Sequence, residues 1–210
     1  MDFIFDPSLV LYLPLYEQDG ASFMSKDAYG HLCTVTGAQL TPSGRYFDGV
    51  DDKVDAGADP ALDVYPKVTA GGWVLPMPSP GIGDLVGKAQ DYKGYGLQVG
   101  YTGIFLRLGY QGVWYSSPII TATSRFQFAI GVYDGSYIRL YVDGVEITPA
   151  TAHTSGFTKA SSSTTVKIGC HYSGSGYFVN ARIGEVFIFS RALSSPEIQG
   201  IYLSTKWRYR

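Results

Sequence analysis

The side chains of this chain that could do chemistry are three histidines, an acidic turn and a scatter of aromatic rings near glycines. His31, His153 and His171 lie in or beside loop-like stretches. No G-x-S-x-G or H-E-x-x-H motif occurs, so none of them stands in a recognisable nucleophile or metal motif. They read as ordinary surface or loop histidines. Cys170 and His171 are adjacent, and neighbours along an extended strand point to opposite faces, so without a bulge they would not share an ion. Cys33 and Cys170 are the only cysteines. Two separate buried thiols are expected, with a single disulfide as the alternative.

Asp48, Asp51, Asp52 and Asp55 crowd one turn. Oxygen-only ligands on a turn suit Ca²⁺, which accepts carboxylates and backbone carbonyls in flexible geometry. A bound calcium and a plain solvated turn are the two readings of that cluster. The aromatic residues Tyr101, Tyr110, Trp114 and Tyr115 fall within 16 residues of one another, roughly a strand pair's length. Tyr172 and Tyr177 lie in the Gly/Ser-rich stretch HYSGSGY. Flat rings stack on the C–H faces of sugars, and glycines let a ligand approach the backbone. The same residue types serve protein interfaces, so a glycan site and a protein-docking face are both open.

Such side chains need strands to hold them, and the pattern supplies many. Phe128 to Ile147 reads FAIGVYDGSYIRLYVDGVEI. Its two Asp-Gly dipeptides punctuate runs with period-two alternation, the strongest short-range hairpin signal. Ile138, Leu140 and Val142 share one face and Tyr137, Arg139 and Tyr141 the other, which predicts a three-stranded meander. Further runs extend over 10–15, 32–35, 45–47, 53–55, 70–75, 84–87, 95–99, 104–108, 113–116, 165–169 and 182–189. Many short strands separated by turn residues mean a sandwich or barrel. Trp73 is expected between the sheets, with Phe47 and Val54 plugging the core on either side of the acidic turn. One helix is expected after Ser194, which caps it with Glu197 at the capping-box position and Pro196 in the first turn. The closing KWRYR reads as a strap against a sheet edge or as a partner-docking tail.

Composition narrows the classes. The 210 residues suit one large β domain spanning 1–210. Lys+Arg at 16 against Asp+Glu at 18 leaves a net charge of -2, which argues against nucleic-acid binding. The opening MDFIFDPSLVLYLPLY has no basic n-region, and Pro14 breaks its apolar run. It makes a poor signal peptide and is too short to span a membrane.

Three segments read in order carry a resemblance. They are Arg45-Tyr46-Phe47-Asp48-Gly49-Val50-Asp51-Asp52-Lys53-Val54, then Tyr133-Asp134-Gly135 with Leu140-Tyr141-Val142-Asp143-Gly144, then Ile183-Gly184-Glu185-Val186 with Arg191-Ala192-Leu193-Ser194. Together they resemble the laminin-G-like, or concanavalin A-like, lectin family, across nearly the whole chain. The resemblance implies an all-β fold, a two-sheet antiparallel jelly-roll sandwich with one short C-terminal helix. It also implies a structural calcium near the acidic turn, with a further acid from the last long strand. Gly184 holds that position here and Glu185 stands beside it, so the implied ligands are Asp48, Asp51 and Glu185.

Some members of this family are glycoside hydrolases, which need two carboxylates projecting into one groove. The last long strand, IGEVFIF, offers Glu185 alone, so no enzyme is expected. The function expected is a non-enzymatic interaction or adhesion module, a surface or virion structural subunit of phage type that also binds glycans. A stand-alone carbohydrate-binding lectin is the alternative, and a hydrolase a remote one. Partners would be other proteins or copies of itself, met at sheet edges, or a glycan; nucleic acid and membrane insertion are not expected. The location expected is a virion or extracellular surface.

Overall fold

Asp143 and Gly144 both take positive φ, 51° and 81°, as a two-residue hairpin turn requires. Val142 and Val145 face each other across that turn. The computed structural model describes residues 3–77, 82–100 and 103–209. Its strands are β1 (Leu9–Pro14), β2 (Ser22–Met24), β3 (Leu32–Thr36), β4 (Gln39–Thr41), β5 (Gly44–Asp48), β6 (Lys53–Asp55), β7 (Val68–Pro76) and β8 (Gly83–Gln90). They continue with β9 (Lys93–Gly100), β10 (Gly103–Tyr110), β11 (Val113–Ser116), β12 (Gln127–Tyr133), β13 (Tyr137–Val142), β14 (Val145–Ala152), β15 (Lys167–Ile168) and β16 (Asn180–Phe189). Helix α1 (Ser195–Thr205) follows.

The strands make two antiparallel sheets, the jelly-roll sandwich. One runs β14-β13-β12-β7-β16-β5-β4, and the other β11-β10-β9-β8-β15-β6-β3-β2. In the first sheet β16 is shared along one side: Asn180–Ile183 pair with β5, and Glu185–Phe189 pair with β1. The meander β12-β13-β14 lies where its alternation puts it. Ile138 and Leu140 are fully buried in the core between the sheets, while Tyr137 is exposed. Phe47 and Val54 plug that same core.

Trp73 is buried, but not between the sheets. It belongs to a second apolar layer on the outer face of the first sheet, with Tyr12, Phe128, Phe187 and Phe189, roofed by Ile198 and Ile201 of α1. Its indole Nε1 donates to Thr205 Oγ1 at 2.8 Å. Both faces of β7 and β12 are buried, so alternation alone could not tell the inner face from the roofed one. The roof is held at its start by Glu197, whose Oε2 accepts from the Ser194 N–H at 2.7 Å. The closing KWRY, expected as a strand or strap, is a 3-10 turn over Lys206–Tyr209. The Tyr209 ring stacks on Trp73 with centroids 4.5 Å apart.

Cys33 and Cys170 are free and buried. Burial pushes their thiols up, to about 12 and about 11, so both stay protonated and unreactive. Among the described residues no helix is long and apolar enough to cross a membrane.

Candidate functional site

The outer face of the second sheet carries polar side chains that strand alternation turns away from the core. Ile104, Leu106 and Leu108 of β10 point inward, so Arg107 points outward. Gly96 lies opposite Arg107 across one strand pair and opposite Gly87 across the next. Asp84 of β8 sits beside that row, directly across from Gln98. A Cβ at Gly96 would fall 2.8 Å from Asp84 Oδ1; the glycine leaves the floor open, and the carboxylate lies over it to reach Arg107.

Arg107 Nη2 donates to both carboxylate oxygens of Asp84, at 3.0 and 2.9 Å. Both side chains are buried. Burial raises the Asp84 carboxyl above its ordinary value, with the Arg107 guanidinium opposing part of that rise. The same guanidinium lies 4.6 Å from the Trp114 ring and 5.9 Å from the Tyr172 ring, within reach of cation–π attraction. Trp114 and Tyr172 are themselves 6.4 Å apart. His171 packs 3.8 Å from Tyr172 and 5.3 Å from Tyr177. Burial, followed by the Arg107 charge, lowers His171 to about 4, so it is neutral near pH 7.

A depression of about 360 Å³ opens beside Tyr172, lined by Gln90, Asp91, Ser163, Thr165 and Lys167 among others. It is rich in hydroxyls, amides and charged groups that could orient a polar ligand. A second cleft, of about 250 Å³, lies between Phe3, Phe189, Leu193 and Ile201. That one is mainly apolar, and its polar edge is engaged by the ion pairs of Arg191 with Asp6 and Glu197.

The aromatic residues singled out in the sequence separate into groups. Trp114, Tyr172 and Tyr177 gather around Arg107 and His171. Tyr115 instead stacks on His153 at 4.2 Å, with Tyr110 at 6.1 Å from the same ring. Tyr115 lies one residue along from Trp114 and so turns to the other face of β11. Tyr101 lies outside the described residues. Two histidines expected at the surface are buried: His31, whose Nε2 is 2.8 Å from the Val10 carbonyl oxygen, and His153, 2.5 Å from that of Gly156. Sequence reasoning missed Asp84 and Arg107. The signal was present, since each is the one charged residue amid uncharged neighbours in DLVG and IFLRLG.

The acids expected to share a metal do not all meet. Asp48, Asp51 and Asp52 bring one carboxylate oxygen each within 4.8 Å of one another. Asp52 Oδ2 accepts from the Asp48 N–H at 2.9 Å, and Asp48 Oδ1 from the Val50 N–H at 2.8 Å. Burial first, with the neighbouring acids adding, raises the Asp52 carboxyl. An oxygen-only set with mutual repulsion fits a hard cation such as Ca²⁺. Glu185 is not part of it. Asp48 pairs with Asn180 in β16, and Glu185 lies five residues further along, roughly 16 Å away at strand rise. There it is fully buried, accepting from Tyr12 Oη at 3.2 Å and Arg208 Nη1 at 2.9 Å. Burial lifts its carboxyl to about 7, against the pull of Arg208.

A family model described as the Concanavalin A-like lectin/glucanases superfamily matches residues 47–199. A comparison with curated proteins found no match. Among solved structures, the receptor binding domain of the botulinum neurotoxin C/D mosaic serotype superposes with a TM-score of 0.74 at 15% identity, covering 94% of this chain and 51% of that one. The botulinum neurotoxin serotype D ligand binding domain, solved in complex with N-acetylneuraminic acid, gives 0.74 at 16% identity over 94% and 51%. A structure of botulinum neurotoxin type C, whose cell entry depends on two ganglioside molecules, gives 0.71 at 12% identity over 94% and 51%. The chain thus spans about half the length of these domains, and at such identities the likeness is one of fold.

Proposed function

The chain belongs to the Concanavalin A-like lectin/glucanases superfamily, and we propose that it works as a single non-enzymatic lectin module that binds glycans on the outer face of its second sheet. One observation carries the reading. The Arg107 guanidinium is pinned by Asp84 and lies against the Trp114 and Tyr172 rings, beside a polar depression of about 360 Å³. Aromatic faces take the apolar side of a sugar, and the hydroxyls and amides of the depression take its polar edge. Hydrolysis has little support, because the residue across from Asp84 is Gln98. A glycosidase needs a second carboxylate at such a distance. A glycan array probed with the wild type and with Tyr172→Ala tests the reading: hits lost in the variant support it, and an array without wild-type hits rejects it.

A role as a surface or virion subunit is the second reading. It is favoured by apolar side chains left open at an edge of the second sheet, where Met24 and Leu32 face each other across β2 and β3 and are 51% and 60% exposed. Unpaired edges of this kind suit copies of the same chain or other proteins. Light scattering that gives a monomer mass at high concentration would weigh against it. At the acidic turn we propose an accessory calcium held by Asp48, Asp51 and Asp52, which would cross-link the turn. A melting temperature that is the same in millimolar Ca²⁺ and in EDTA would remove it.

A further inference from the structure

We propose that the face around Arg107 selects neutral glycans over acidic ones, because the Arg107 and Lys167 charges are already neutralised from within the fold. This rests on the glycan reading above and names the ligand class within it. The Arg107 charge is matched by Asp84, whose two oxygens both accept from Nη2 at 3.0 and 2.9 Å. Lys167, on the wall of the depression, is paired with Asp55 Oδ2. Lys53 Nζ is turned onto the Gly174 carbonyl oxygen at 2.9 Å. Asp91 adds an acid to the lining, and His171 carries no charge near pH 7.

A sugar carboxylate or sulfate arriving here would lose water without finding the Arg107 or Lys167 charge free. It would also lie close to Asp84 behind Arg107, a like charge in a poorly solvated place, which costs more than it would in bulk water. A neutral sugar meets no such cost. It gains the faces of Trp114 and Tyr172 and leaves the Asp84–Arg107 pair intact. The buried ion pair therefore works as a filter: Asp84 holds Arg107 against the Trp114 ring and withholds its charge from the ligand.

The test is calorimetric titration of the full chain with neutral oligosaccharides that the glycan array identifies, each paired with its terminally sialylated or sulfated counterpart. The neutral member is expected to bind at least tenfold more tightly, with little change between 50 and 500 mM NaCl. Asp84→Asn frees the Arg107 charge, and in that variant the preference is expected to shrink at least tenfold or reverse. Equal or tighter wild-type binding of the acidic member, or affinity that falls steeply with salt, overturns the proposal and leaves the glycan reading standing. Binding to neither member defeats both. Should Asp84→Asn not fold, the wild-type pairwise comparison and its salt dependence decide alone.

Discussion

The Tyr209 ring fills the space that a side chain at position 184 would need. A Cβ built on Gly184 would fall 2.5 Å from the Tyr209 hydroxyl. Gly184 is thus coupled to the closing 3-10 turn, not to a metal. Gly184→Ala should destabilise the fold by about 1–3 kcal/mol, as overpacking does. A urea midpoint equal to the wild type would show that the turn is not packed there.

Glu185 gives a pH dependence with a definite sign. Its carboxyl is raised from 4.5 to about 7, so the folded protein holds a proton that the unfolded chain releases. Its contribution is fully present below about pH 4.5 and is lost as pH rises through about 7. At 1.36 kcal/mol per unit, Glu185→Gln should gain about 3 kcal/mol on the wild type between pH 4.5 and 8. Comparing the two proteins cancels His171, whose lowered pKa acts in the opposite direction. Denaturation curves that stay parallel across this range would refute the assignment.

Trp73 anchors the layer between the first sheet and α1. Trp73→Ala should cost about 3–5 kcal/mol, the range for large aromatic truncations. A chemical-denaturation midpoint that does not move would remove Trp73 from that layer.

Gly200 lies on the exposed side of α1, with nothing beyond its own helix within 4 Å of where an added methyl group would stand. Gly200→Ala should stabilise by about 1 kcal/mol through helix propensity alone. A lower melting temperature in the variant would mean that α1 needs the flexibility of glycine there.

Much of this was readable from residue order. The Asp-Gly turns announced β12, β13 and β14, because the turn dihedrals and the alternation point to the same answer. β2 and β4 were not readable: both are short, largely exposed strands at the ends of their sheets, with no buried run to mark them. The side of Trp73 was hidden because both faces of β7 are covered. Glu185 looked like a metal ligand from its neighbours in sequence, yet Asp48 and Glu185 are held well apart along the β16 ladder. Asp84 and Arg107 are 23 residues apart, and only the register of β8, β9 and β10 brings them together.

The central claim concerns where a sugar lies, and the three tryptophans provide the readout. Trp114 is on the proposed face, Trp73 is beneath α1, and Trp207 is in the closing 3-10 turn. In a ¹⁵N–¹H spectrum of the whole chain, adding a neutral oligosaccharide should move the Trp114 indole signal and leave the other two in place. Movement of Trp207 or Trp73 with Trp114 unchanged, or no movement at saturating sugar, would contradict the account.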